Sequence, residues 1–386
     1  MCIRDRCYNF SDRTLNQSVQ ETIDFYNSEV SRYLVEQPQG NIYDWVDRNP
    51  HKFSWDRSDR TRIQHGVRYR YDAESVMLAT YRPFTKQYVY ANRQLNNCVY
   101  RLPAVFPTPH HTNIGYYLIG PGAAKDFSLL MVDGLPDVQL TGAQSNGQFF
   151  PRWTYTKVAG EAQGSLLEPA GDVDEWGYRR VDNITDEILA VYQERFGTQV
   201  SKDDIFSYVY AVLHSPQYRQ AFAADLKRMV PRIPLAASLS DFEAFTDAGR
   251  RLADLHVNYE TVEPYPLHEP PVTEMVAWEA YRVTKMRWAD KTTKSALVYN
   301  QHITLGDVPV DASRYMLGSR SALDWLIDRY QIKTDKASGI VNDPNDWAKE
   351  HGDPRYIIDL VKRITRVSID TMRIVDQLPE LPFDSR

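Results

Sequence analysis

Between Tyr69 and about Tyr155 the chain is written in short aromatic and β-branched runs, such as YVYA at 88–91, NIGYYLIG at 113–120 and FSLLMV at 127–132. Pro83, Pro103, Pro107, Pro109, Gly120, Gly122, Gly134 and Pro136 cut these runs short. Runs of this length, so punctuated, suit a mixed or antiparallel sheet with irregular loops better than helices. Helical spacing takes over further on, at Thr185 to Phe196, Asp203 to Leu213, Pro216 to about Met229 and Asp241 to about His256. The fold class this predicts is α+β, with β-rich segments around a central helical region and helices closing the chain.

Upstream, Leu15, Val19, Ile23, Phe25, Tyr26, Val30 and Leu34 recur mostly at spacings of three and four, which predicts an amphipathic helix packed on an adjoining domain. Met1 to Arg6 carries no hydrophobic period. Residues 1–7 are expected to be an artefactual or disordered start. AGEAQGSLLEPAGDVDEWG, at 159–177, is polar, acidic and Gly-bearing, so 159–180 reads as a flexible connection. At His214-Ser215-Pro216 two helices abut, with Ser as N-cap and Pro at the first helical position; Tyr218, Phe222 and Leu226 make the second helix scaffold rather than a groove reader. Past the Pro-rich stretch 263–271, residues 272–305 look strand-forming. Helices follow at Ser321 to Tyr330 and Pro354 to Leu378, the last with Asp353 as N-cap and a stripe through Ile357, Leu360, Val361, Ile364, Val367 and Ile374.

The 386 residues are 42% hydrophobic, enough to bury a core, and contain no apolar run of membrane-spanning length. Three cysteines without a CxxC pair or a secretory signal suit a reducing cytoplasm. Net charge is −6, which argues against holding nucleic acid by electrostatics alone. The charge is polarised, however: from Lys52 to Arg101 ten cations face four acids, and a positive stripe near 57–70 is open.

Motifs for chemistry are missing. No GxxxxGK[ST] is present, and Gly120-Pro121-Gly122 reads as a turn. Glu269-Pro270-Pro271-Val272 and Asn342-Asp343-Pro344-Asn345 do not supply the [DNS]PP[YFW] loop that holds a flipped amino base. Pro136-Asp137 lacks the second acid and the lysine of a metal-dependent nuclease. His110 and His111 read as a surface loop, and His214 and His256 as helix-end packing. No metal site and no nucleophile present themselves.

Several long strings nevertheless resemble the C-terminal specificity region of type ISP restriction-modification enzymes: DFYNSEV at 24–30, YRPFTKQYVYANRQLNN at 81–97, DGLPDVQL at 133–140, SYVYAVLHSPQYRQAFAADLKRMVPRIPL at 207–235, GRRLADLHVNYE at 249–260 and SALDWLIDRYQIKTDKASGIVNDPNDWA at 321–348. The resemblance implies recognition of a double-stranded DNA site and no cofactor in this chain. S-adenosylmethionine, ATP and Mg would belong to upstream methyltransferase and helicase modules. The catalysis, DNA adenine-N6 methylation with ATP-dependent restriction, would belong to the parent. On this reading 8–68 is a helical linker from the methyltransferase, 69–158 the β-rich part of the specificity region, 181–262 a helical scaffold and 263–386 a second α/β part. A remnant methyltransferase, or a docking domain for a separate catalytic subunit, are the alternatives.

Candidate DNA-facing residues follow from pattern and resemblance together. In Thr284 to Lys294, strand alternation puts Lys285 and Arg287 opposite Met286, with Lys291 and Lys294 beyond them; a two-stranded ribbon of that kind can enter a major groove. Arg82, beside Pro83 and two aromatics, either awaits a phosphate or braces an interface. Lys86 and Arg93 flank the next strand as phosphate contacts or as a solvated face. Lys333 and Lys336 lie in a polar loop that reads first as structural, and Gln144, Ser145 and Asn146 as a turn, although amides there could reach base edges.

Overall fold

The structure, a computed structural model, describes residues 7–96, 99–158, 172–272 and 275–381. Residues 1–6, and 159–171 of the expected connection, lie outside it. Small sheets and helices alternate in an α+β arrangement.

Ser11 accepts a hydrogen bond from the Thr14 amide and so starts the helix Asp12–Glu36. Its buried stripe, Leu15, Val19, Ile23, Tyr26 and Val30, does not await another domain, as the sequence suggested. Phe53, Ile63, Tyr69, Tyr90 and Leu95 of the same chain cover it, and Tyr26 stacks on Tyr69 at 3.7 Å. This core runs across residue 68 and includes Cys7. The strand Tyr8–Asn9 then pairs with Thr85–Tyr90 in a four-stranded sheet, beside Val76–Arg82 and Leu135–Pro136.

A second sheet has Gly115–Leu118 at its centre, between Leu129–Val132 and Gln148–Pro151, all antiparallel. All four residues of Leu129–Val132 are buried. Because strand side chains alternate, Leu130 and Val132 enter one core, shared with Trp325, Leu360 and Ile364, while Leu129 and Met131 enter another, shared with Tyr210, Phe245 and Leu252. The helices on that second side are Asp186–Phe196, Lys202–His214 and Leu239–Val257, each started by a Thr or Ser N-cap. The expected helix from Pro216 is broken at Phe222 into Pro216–Ala221 and Ala223–Leu226, while Ser215 caps it as anticipated. Among the described residues no helix is long and apolar enough to cross a membrane.

Among the described residues, the strand-forming character in 272–305 yields the two-residue strands Arg287–Trp288, Leu297–Val298 and Thr304–Leu305, plus a helical turn at Ala277–Ala280. The last helix begins at Tyr356, later than expected. Asp353 accepts from the Arg355 amide rather than capping the helix itself. Its stripe bridges both cores: Ile357 to Val367 enter the first, and Ile374 and Val375 the second.

Polar bonds tie these layers together. The Met131 amide, on the sheet edge, donates to the Tyr210 hydroxyl at 2.7 Å. Tyr210 Oη lies 2.6 Å from His256 Nδ1, and His256 Nε2 lies 2.9 Å from the Thr371 hydroxyl. Tyr210 receives the amide proton and gives its own to Nδ1, which assigns a neutral, Nε2-protonated imidazole to His256. Burial holds its pKa far down, at about 3, and burial likewise depresses that of His214. Both histidines are packing residues, as the sequence indicated.

Two expectations follow. A Cβ at Gly249 would stand 1.9 Å from the Ser207 carbonyl oxygen, so Gly249→Ala forces apart the helices Lys202–His214 and Leu239–Val257; we expect a loss of about 1–3 kcal/mol in urea unfolding. The unfolded chain protonates His256 near 6.5 and the folded chain only near 3, so between those values the unfolded state binds more protons. Stability is therefore complete above about pH 6.5 and falls on acidification, by up to about 1.4 kcal/mol per pH unit for each such histidine. Urea unfolding at pH 7.5 and pH 5 should show this slope, and His256→Leu should reduce it.

Candidate nucleic-acid interface

The nine cations singled out from the sequence divide by what they touch. Arg82 meets Asp137 at 3.1 Å with both side chains almost buried, and its guanidinium stacks on Tyr81 at 4.0 Å. It braces the first sheet, and Asp137 is its counterion. Lys86 donates to Glu260 at 2.6 Å, and Glu260 also accepts from the Tyr356 hydroxyl. Lys294 donates to Asp324 at 2.8 Å, where Trp288 Nε1 also donates. Burial pushes the Asp324 carboxyl up, but the bonds from Lys294, Trp288 and Ser321 outweigh it and leave the pKa below the ordinary value. Lys333 donates to the Asp328 carbonyl at 2.8 Å and faces the Asp328 carboxylate at 3.5 Å. All four have partners inside the chain.

Arg93, Lys285, Arg287, Lys291 and Lys336 are exposed, and among the described residues none forms an ion pair. Lys285 and Arg287 alternate with buried Met286 and Trp288, as strand periodicity requires. Arg287 pairs with Val298 in the ladder, and Lys291 projects from a turn whose amides at Thr292 and Thr293 are held by Asp290. The Ile332 amide donates to the Thr284 carbonyl at 3.0 Å, which joins this strand to the hairpin Lys333–Thr334/Val341–Asn342 that carries Lys336. In that hairpin Asp335 accepts from the Ala337 and Ser338 amides, so the loop is held by internal bonds. Arg93 stands apart, next to Gln94, which accepts from Arg62 and from the Arg70 amide.

The positive stripe near 57–70 is partly consumed. Arg62 donates to Tyr69 and Gln94, Arg68 to Asn27 and Ser31, and Arg60 stacks on Tyr43. The two strings that fell short of a base-holding loop are structural too. Asp343 caps the helix Pro344–Glu350. Glu269 is clamped by Arg355 and Lys362; burial raises its carboxyl pKa, but these cations pull it down to about 2. Gln144 and Asn146 have left-handed backbone in a turn, with Ser145 buried against the Tyr117 hydroxyl. His111 departs from the surface-loop expectation: it is buried between Thr108 and Asp174, because Tyr155, Trp176 and Tyr178 close around it. Among the described residues no three potential ligands could share a metal ion.

One element escaped the sequence reading. Trp153–Lys157 and Tyr178–Asp182 form a two-stranded antiparallel ribbon, with Arg180 over the Trp153 ring at 4.7 Å and Lys157 near Tyr178. Residues 178–180, assigned to a flexible connection, are its second strand. The alternating WTYTK was a legible signal, but its partner lies across the acidic stretch that masked the pairing.

Among the described residues, then, several of the small sheets present exposed cations that form no ion pair. The family model described as the Type ISP C-terminal specificity domain matches residues 3–360, and the chain belongs to that family. Three solved structures are similar over nearly the whole chain. A nuclease-deletion mutant of the Type ISP restriction-modification enzyme LlaGI, in complex with a DNA substrate mimic, is 34% identical with a TM-score of 0.82, over 99% of this chain and 32% of that one. The ATP-dependent Type ISP restriction-modification enzyme LlaBIII bound to DNA is 31% identical with a TM-score of 0.83, over 99% and 23%. DrdV, in a cryoEM complex with DNA, is 30% identical with a TM-score of 0.80, over 98% and 35%. The chain thus spans about a third or less of these relatives. No curated protein matches.

The partition of cations makes a direct prediction. Lys294→Met leaves Asp324 half-buried without its cation and should cost about 1 kcal/mol in urea unfolding. Lys285→Ala, at an exposed site without a partner, should change stability by less than about 0.5 kcal/mol.

Proposed function

We infer that this chain reads a double-stranded DNA site as the specificity region of a larger Type ISP restriction-modification polypeptide. The observation that carries the reading is the exposed strand around Lys285 and Arg287: its cations lack partners among the described residues, while their neighbours Met286 and Trp288 anchor it in the core. Similarity at 30–34% identity to three enzymes solved with DNA, over nearly the full chain, supports it. The ribbon Trp153–Lys157/Tyr178–Asp182 is a second element of the right shape for a groove.

With a net charge of −6, this chain contributes discrimination more than affinity, and upstream methyltransferase and helicase-nuclease modules supply the remaining phosphate contacts. S-adenosylmethionine, ATP and Mg bind those modules, which this chain positions on the site, in the cytoplasm.

Competition binding at fixed moderate salt, with the chain joined to its upstream half, should show preference for one short duplex over scrambled DNA; equal binding to all sequences overturns the reading. Lys285→Ala with Arg287→Ala should relax selectivity by about 1–3 kcal/mol at one base pair if the pair touches base edges. Uniform weakening with a salt slope smaller by about one per cation assigns them to phosphates.

A further inference from the structure

Another cation without an ion pair among the described residues lies away from the exposed strand. Arg219, on the short helix Pro216–Ala221, donates from Nε to the Leu213 carbonyl at 2.7 Å and lies 5.8 Å from the Phe127 ring. Among the described residues no carboxylate lies within ion-pair distance, and its other guanidinium N–H groups have no acceptor. Arg219 is only partly exposed, and cations in such positions are mostly paired. Burial lowers its pKa to about 10.

Arg219 opens on a cavity of about 270 Å³ whose walls include Phe127 and Leu226 and whose rim carries Lys125 and Lys227. Among the described residues Lys125 has the Thr141 carbonyl as partner, at 2.6 Å, and its pKa is lowered by burial first and then by Arg320 and Arg82. Lys227 is exposed, and its carbonyl accepts from the Gly122 amide, which ties the rim loop to the helical side. The cavity holds one acid, exposed Asp126, which pairs with none of the three cations, so the lining is positive by two charges.

We propose that this cavity is an oxyanion seat for a phosphate-class group, with Arg219, Lys125 and Lys227 as the cations that line it. The planar fork of Arg219 suits two oxygens of a tetrahedral anion, and the lysines add point charge. A cavity of this size and charge takes a small oxyanion, either a phosphodiester of a DNA backbone or a free phosphate. Nothing in this inference depends on which residues read bases.

Thermal unfolding of the full chain with sodium phosphate, at ionic strength held constant with sodium chloride, tests it. The wild-type midpoint should rise saturably with phosphate. Lys227→Ala, at an exposed position, should weaken the apparent affinity about tenfold. Arg219→Met should abolish the saturable rise. A wild-type midpoint indifferent to phosphate, or a rise of equal size in both variants, which is the general salting effect of a kosmotrope, overturns the proposal. Repeating the titration with saturating duplex DNA identifies the source: DNA that removes the phosphate response marks a backbone phosphodiester, and a response that persists marks a free phosphate.

Discussion

The strand Leu129–Val132 is buried on both faces, and the rest of the molecule is arranged by that fact. Four consecutive buried apolar residues on a strand need a core on each side. One side is filled by the C-terminal segment around Trp325 and Leu360, the other by the helices around Tyr210 and Phe245. The strand is also an edge, so its outward amides need acceptors in a dry place. Tyr210 supplies one to Met131, and the same hydroxyl reaches His256 and through it Thr371 on the last helix. Sheet, helical layer and C-terminal helix are thus held by one neutral chain of hydrogen bonds, which fixes their mutual placement more tightly than apolar packing alone.

Charge is distributed by the same logic. The cations that look most conspicuous in the sequence sit where segments meet, and there they are neutralised: Arg82 by Asp137, Lys86 by Glu260, Lys294 by Asp324. Of those left to solvent, Lys285 and Arg287 lie on a short strand anchored by buried Met286 and Trp288. A chain that is acidic overall can in this way present local positive edges without a basic surface. The Arg219 cavity is the exception, a positive site within the body of the fold.

The sequence by itself determined the α+β class, the N-cap at Ser215, the stripe of the last helix and the alternation of Lys285, Met286, Arg287 and Trp288, because each follows from local period and local capping chemistry. The long strings between Asp24 and Ala348 also carried the family, since ordered strings are specific where short motifs are not. Only the tertiary structure decided which cations are spent, because Asp137, Glu260 and Asp324 are distant in the chain from the residues they neutralise. It alone paired Trp153–Lys157 with Tyr178–Asp182 across the acidic stretch, buried His111, covered the first helix from within the chain and left Arg219 without an anion among the described residues. Those outcomes depend on contacts between segments far apart in sequence, and hydrophobic period and capping report only what lies within a few residues.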